Sequence, residues 1–283
     1  MTKILGLTGP TGAGKTTVSR LFAKQGCIIL DCDKIAREVT TYHVDCLRDL
    51  CYAFGSDIVN EKGILNRTLL AQRAFANKEQ TQKLKKGDTL LVCGDFGFVW
   101  DGSPAELKLR RKIGKQKYIT IFVDGTHDNL PMIREFPEEE YAGGTVRRIE
   151  GNLLYAERGT ILTLEGKKVF FLGGGVSEDM DERLESGTWH SEEMPTAEEL
   201  AAAEERLTQS GGVDLIITHQ PSDRMRIFLG GDRTEISPLG AFLDRVEQEM
   251  QFGSWYFGRL HKDKKIPPRQ QAVFREVVPA EQR

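Results

Sequence analysis

This chain of 283 residues lacks a long apolar run, a strong charge imbalance and a cysteine framework. No stretch approaches the roughly 20 apolar residues that span a bilayer, so no transmembrane helix is expected. The opening MTKILGLTGP carries one lysine and a short apolar run broken by glycine, which suits a buried first strand better than a secretory leader. A formal net charge of −3 gives no general attraction to nucleic acid or to an anionic membrane surface, so neither is expected as a partner. The five cysteines include two pairs, Cys27/Cys32 and Cys46/Cys51, with four residues between partners. That spacing fits neither CxxC redox chemistry nor a usual zinc knuckle. Reduced, mostly buried thiols and a cytoplasmic protein are expected. Internal repeats and low-complexity tracts are also missing.

What is present is an ordinary globular composition, with 39% hydrophobic and 29% charged residues, over a length that suggests about two domains. Residues 3–8 form a short apolar run ending at Gly9. Residues 16–25 then carry Val18, Leu21 and Phe22 at helical spacing, and 27–30 read as a second buried strand. Helical patterns follow around 33–40, 43–53 and 67–76. This β–loop–α–β order begins a parallel sheet.

The polar stretch at 78–86 predicts a junction near Leu84–Lys85. Beyond it, strands are expected at 89–93, 118–123, 160–164, 168–172 and 213–218, with later ones at 254–257 and 272–274. Ser103–Pro104 marks one helix start. A charged helix at 197–208 opens on the Thr196/Glu199 capping box and stops at Gly211–Gly212. The expected class is α/β: a truncated P-loop parallel β-α-β unit over 1–84, then an α/β sandwich over 85–283.

Gly9-Pro-Thr-Gly12-Ala13-Gly14-Lys15-Thr16 satisfies G-x-x-x-x-G-K-[ST], placed after a strand and before a helix. Glycines let backbone N–H groups turn in around phosphate oxygens. Lys15 would reach the outer phosphates of ATP, the Thr16 hydroxyl would ligate Mg²⁺, and Thr17 completes the cradle with Gly9, Gly12, Ala13 and Gly14. Asp31 and Asp33 sit at the end of the next strand, where Asp33 suits a catalytic carboxylate or a helix cap.

The segments GLTGPTGAGKTTVSRLF, ILDCDKIAREV, AFGSDIV and GILNRTLLAQRAFAN resemble, in order and spacing, the front of dephospho-CoA kinases across residues 3–84. The resemblance implies ATP with Mg²⁺ as cofactor and dephospho-CoA as acceptor. It makes Asp33 the base for the ribose 3′-hydroxyl, with Arg37 beside the acceptor. The family's later part, with its Arg-bearing lid, has no counterpart after Lys85. A sheet truncated in this way leaves an edge beside Asp31 to pair with the second unit or with another copy of the chain.

GDTLLVCGDFGFVWDG, FVDGTHDN, FFLGGGVS, EEMPTAEEL, LIITHQP and WYFGRLHKDKKI resemble a small calcineurin-like metallophosphoesterase over residues 85–278. The resemblance implies a phosphoester substrate and divalent metals. Asp95, His219 and His261 become ligands for Mn²⁺, Fe²⁺ or Zn²⁺, and His127–Asp128 the pair in which the His protonates the leaving group and the Asp orients it. The family's first Asp-x-His motif has no counterpart, Thr126 stands where the family has Asn, and Arg259 stands where it has His. Three readings follow: a kinase-like ATP-binding protein with a degenerate phosphoesterase unit, a metal-dependent phosphohydrolase with a replaced amino end, and an inactive fusion of the two.

Overall fold

The computed structural model describes residues 15–27, 43, 46–48, 50–51, 58–60, 63–66, 81, 83–177, 180–186, 189–231 and 236–280. The chain divides into two compact units, Met1–Ala71 and Gln72–Arg283, somewhat ahead of the expected junction.

In the first unit, α1 spans Lys15–Lys24 and closes with Lys24 in its last turn, where a cation complements the helix dipole. Val18, Leu21 and Phe22 share the expected face but remain 37%, 57% and 37% exposed. Residues 46–48 and 50–51 are helical, inside the expected 43–53 helix. An isolated antiparallel bridge joins Val59 to Leu65, and Asn60 Oδ1 accepts from the Ile64 backbone N–H to close that turn. The strand expected at 3–8, residues 28–30 of the next strand, and the helices at 33–40 and 67–76 lie outside the described residues.

The second unit contains two sheets. The first runs β1 (Thr89–Val92), β2 (Ile119–Phe122), β5 (Leu153–Ala156), β4 (Gly144–Glu150), β3 (Glu138–Tyr141) in spatial order. β1, β2 and β5 are mutually parallel, while β4 and β3 fold back antiparallel. The second sheet runs β10 (Lys264–Ile266), β11 (Gln270–Ala272), β9 (Phe252–Phe257), β8 (Val213–Thr218), β7 (Lys167–Leu172), β6 (Thr160–Leu164). Here β7, β8 and β9 are parallel.

Alternation along these strands sorts the apolar side chains into three layers. Ile121, Val123, Leu154, Ala156, Val169, Phe171, Leu215 and Ile217 meet between the sheets. Phe122, Leu153 and Tyr155 point the other way, into a layer with Leu130 and Ile133 of α3 (Leu130–Arg134). Phe170, Leu172, Ile216, Trp255 and Phe257 face α5 (Ala197–Ser210) and the helix Pro238–Glu249. Strands buried on both faces read as continuous apolar runs, as FFL, LII and WYF do. Two sheets face to face with helices outside make an α/β sandwich, the architecture expected for this half.

Local signals set the boundaries. Before α2 (Pro104–Gly114), the Ser103 hydroxyl accepts from the Glu106 backbone N–H at 3.3 Å, and Pro104 takes the first helical position. Before α5, Thr196 and Glu199 form a reciprocal capping box at 3.2 and 2.8 Å, and Gly211 ends the helix at φ 68°. Among the described cysteines, Cys93 is buried, Cys46 and Cys51 are half-buried and Cys27 is exposed, all as free thiols. Only Cys93 among these meets the expectation of burial, because it alone sits in a sheet core. No helix of the described residues is long and apolar enough to cross a membrane.

Candidate functional site

At the front, Lys15 is the first residue of α1 and follows the glycine-rich stretch 9–14 in sequence. The backbones of Lys15, Thr16 and Thr17 are helical. Their side chains, together with Gly9, Gly12, Ala13, Gly14, Asp33 and Arg37, lie outside what the structure describes.

The second unit gathers its polar residues just past the carboxyl ends of parallel strands, where crevices form in α/β sheets. β1 leads into Gly94–Asp95, β2 into Asp124–Asp128, β7 into Gly173–Gly175, β8 into His219–Gln220 and β9 into Gly258–His261. The loops approach closely because they carry glycine. A Cβ on Gly94 would stand 2.4 Å from His219 Nδ1, and one on Gly125 would stand 2.1 Å from Asp95 Oδ1. Asp95, Arg259 and His261 all hold left-handed backbone, at φ 51°, 43° and 49°. Strained non-glycine residues of this kind concentrate at functional sites.

Asp95 is the hub. Its Oδ1 accepts from the His127 backbone N–H at 2.9 Å, and its Oδ2 lies 3.3 Å from His127 Nδ1. His219 Nε2 stands 3.7 Å from Oδ1. Burial alone would raise the Asp95 carboxyl, but the imidazoles of His219 and His127 outweigh it and hold the group below the usual carboxylate range.

The His219 ring is fully buried, and its Nδ1 meets the Cys93 carbonyl oxygen at 2.9 Å. That carbonyl can only accept, so Nδ1 is the donor, while Nε2 is buried on the Asp95 side with no protein hydrogen bond.

Asp128 takes a positioning place. Its carboxylate accepts from the backbone N–H groups of Phe96, Gly97 and Gly125 at 3.2, 2.8 and 2.8 Å, stitching the β1 loop to the β2 loop. Burial, and then the charge of Asp95, push its carboxyl up to about 6 against the pull of those amides.

Residues that the motifs did not single out brace this group. Arg158 pairs with buried Asp124 at 2.6 Å and with Glu199 at 3.0 Å, and Tyr155 donates to Asp124 at 2.8 Å. Burial would weaken the Arg158 charge, yet Asp124 more than compensates and raises it. Arg183 of α4 (Met180–Ser186) donates to the Thr126 carbonyl and the Ser177 hydroxyl, both at 2.6 Å, and pairs with Glu193 at 3.1 Å. Glu193 lies within the EEMPTAEEL segment, so that motif supplies a brace for the His127 loop.

His261 is placed differently from the other expected ligands. Its ring stacks on Phe274 at 4.7 Å and 28°. Among the described residues, no group of three or more His, Cys, Asp or Glu side chains is placed to hold a metal ion. The expected Asp95–His219–His261 set is therefore not gathered, since the left-handed turn at 259–261 aims His261 at an aromatic partner. Asp95 and His219 offer two donors, short of the three protein ligands of a catalytic zinc and of a binuclear pair. These residues do not fit a metal centre. A separate cavity of about 510 Å³, lined by Tyr256, Lys265, Arg269 and Val278 among others, contains none of the Asp95 group.

With this geometry in place, comparison with known proteins bears on the front of the chain. Residues 3–87 match the dephospho-CoA kinase family model. A dephospho-CoA kinase of Corynebacterium efficiens is 46% identical over 80 residues, which cover 28% of this chain and 40% of that protein. Those of Aggregatibacter actinomycetemcomitans and Colwellia psychrerythraea are 41% and 42% identical over 86 and 83 residues, covering 42% and 41% of their lengths. The chain thus spans about two-fifths of the curated relatives it matches. The match contains every front residue expected to bind ATP or act on the acceptor.

Proposed function

We propose that the front of the chain is a Mg·ATP-binding, dephospho-CoA-kinase-like unit. The observation that carries this is Lys15 opening α1 immediately after GPTGAG, inside the stretch that matches the family. Backbone N–H groups at a helix start after a glycine-rich loop favour bound phosphate. Lys15 and Thr16 then meet the outer phosphates and Mg²⁺, and Asp33 and Arg37 face the acceptor. The reaction this implies is transfer of the γ-phosphoryl group of ATP to the 3′-hydroxyl of dephospho-CoA, giving ADP and CoA. A Mg·ATP-dependent rise in melting temperature tests the reading. Bound ATP at about a hundredfold excess over Kd contributes about 2.7 kcal/mol, and Lys15→Ala removes it. Equal melting of the parent protein with and without Mg·ATP overturns it.

A second reading, of the Gln72–Arg283 unit, is favoured by the meeting of Asp95, His127 and His219 at the strand ends. We infer that this unit handles phosphoesters. His127 is 49% exposed in its side chain, so its far ring nitrogen can reach a leaving-group oxygen while Asp95 holds Nδ1. Release of an aryl alcohol from an aryl phosphate, slowed about a hundredfold by His127→Ala, is the expected result. Unchanged turnover in that variant overturns the acid role. A metal-assisted form of the reaction needs a ligand beyond Asp95 and His219.

A further inference from the structure

We propose that the cleft between the β9–β11–β10 face and the segment after Ala272 binds a small organic anion. The cleft holds about 510 Å³, within the roughly 300–1,000 Å³ that small-molecule sites occupy. Strand pairing decides what faces it. Tyr256 of β9 lies opposite Gln271 of β11, and Gln271 lies opposite Lys265 of β10. Residues directly opposite one another share a face of the sheet, so a phenol, an amide and an ammonium stand in one row. Ser254, two residues before Tyr256, lies on the same face. Val278 packs against the buried cluster that holds Tyr256 and lines the other side. The cleft is separate from the Asp95 group and rests on neither functional reading given above.

The charge of the lining selects the ligand. Lys265 and Arg269 are exposed and line the cleft, and no carboxylate side chain lines it among the described residues. A concave surface carrying one sign of charge concentrates ions of the other sign. Arg269 is held in place before any ligand arrives. Its guanidinium carbon lies 3.7 Å from the centre of the Phe252 ring, and its Nη1 donates to the Phe252 carbonyl oxygen at 3.2 Å. A head fixed in this way loses less freedom on binding. Its other N–H donors form the fork that matches two oxygens of a carboxylate or phosphate, and Lys265 adds a second positive charge. Tyr256 and Val278 offer an aromatic and an aliphatic surface to the body of the ligand. A carboxylate or phosphate monoester with an apolar body meets each of these features, and an organic cation meets none of the charged ones.

The test is calorimetric titration, in EDTA, of the full chain carrying Lys15→Ala, which silences the front phosphate motif. Phenyl phosphate and benzoate are the probes, and benzylamine is the cationic control. Binding of at least one of the two anions, and none of benzylamine, is expected. Lys265→Met and Arg269→Met should each weaken it about tenfold or more, the loss of one charge-assisted hydrogen bond. Lys265 is exposed, so Lys265→Met keeps the test decisive even where Arg269→Met unsettles the fold around Phe252. Ser254→Phe fills the cleft without replacing either cation and should weaken binding likewise. Tighter phenyl phosphate assigns a phosphate head, and tighter benzoate assigns a carboxylate. Anion binding that survives both Lys265→Met and Ser254→Phe overturns the proposal, and its loss in His127→Ala instead assigns the anion to the Asp95 group. Equal binding of benzylamine, or no binding of either anion by protein with native circular dichroism, overturns it as well.

Discussion

The Nδ1 of His219 lies 2.9 Å from the carbonyl oxygen of Cys93, tying the loop after β8 to the end of β1 across the two sheets. The contact depends on Gly94, whose φ of 87° and missing side chain leave room for the ring. Gly94→Ala forces an L residue into left-handed backbone, at a cost of about 1–2 kcal/mol. It also drives a methyl group into buried His219. Urea denaturation should show a loss at the upper end of that range or beyond it, and the His219 ring resonances should shift.

Asp128 gives the protein a specific pH response. Its carboxyl is raised from the ordinary 3.8 to about 6, so the folded state holds a proton that the unfolded chain has released. The resulting stabilisation is complete below about pH 4 and is lost as pH rises through about 6. At about 1.4 kcal/mol per unit, the whole effect is on the order of 3 kcal/mol. Asp95 has the opposite sign, since its depressed carboxyl stabilises above about pH 4 and the benefit fades on further acidification. Denaturation curves between pH 4 and 7 should therefore show stability falling with pH, and Asp128→Asn should flatten that slope while lowering stability throughout.

The Arg158–Asp124 pair is almost wholly buried, with side-chain exposures of 2% and 1%. Arg158→Ala leaves a buried carboxylate without its cation and should cost about 3–5 kcal/mol. Tyr155→Phe removes one hydrogen bond to the same carboxylate and should cost about 1 kcal/mol. Chemical denaturation of the two variants checks both the size and the order of these effects.

Thiol accessibility separates the described cysteines. Burial pushes the Cys93 thiol up to about 12, so no useful thiolate forms at neutral pH. Cys27 is exposed. Maleimide labelling of native protein, followed by peptide mapping, should modify Cys27 and spare Cys93 until denaturant is added.

Strands that are buried on both faces were readable from the chain, because continuous runs such as VDLIIT and SWYF have few other uses in a soluble protein. Helix starts at Ser103 and Thr196 were readable because capping chemistry is local. The antiparallel run β3–β4–β5 has only weak sequence signals. GTVRRIE carries a bulge between Arg148 and Glu150 that breaks its alternation, and NLLYA is too short to stand out. The helix Pro238–Glu249 was missed, although Ser237–Pro238 repeats the start seen at Ser103–Pro104. At the site, the resemblance named Asp95, His127, Asp128 and His219, and the fold brings these four together at strand ends. The contact of His127 Nδ1 with Asp95 and the stacking of His261 on Phe274 were not legible, since both depend on loop conformations at positive φ. The hold of Arg158 on Asp124 and of Arg183 on the Thr126 carbonyl was invisible because those groups lie 34 and 57 residues away.

Mg·ATP is expected at the motif ending at Lys15 and not at the Asp95 group of the second unit. Calorimetric titration of Mg·ATP into the parent protein, Lys15→Ala and Arg259→Met tests it most directly. One ATP per chain is expected for the parent, the same affinity for Arg259→Met, and no heat of binding for Lys15→Ala. Undiminished binding in Lys15→Ala, or its loss in Arg259→Met alone, would contradict the account.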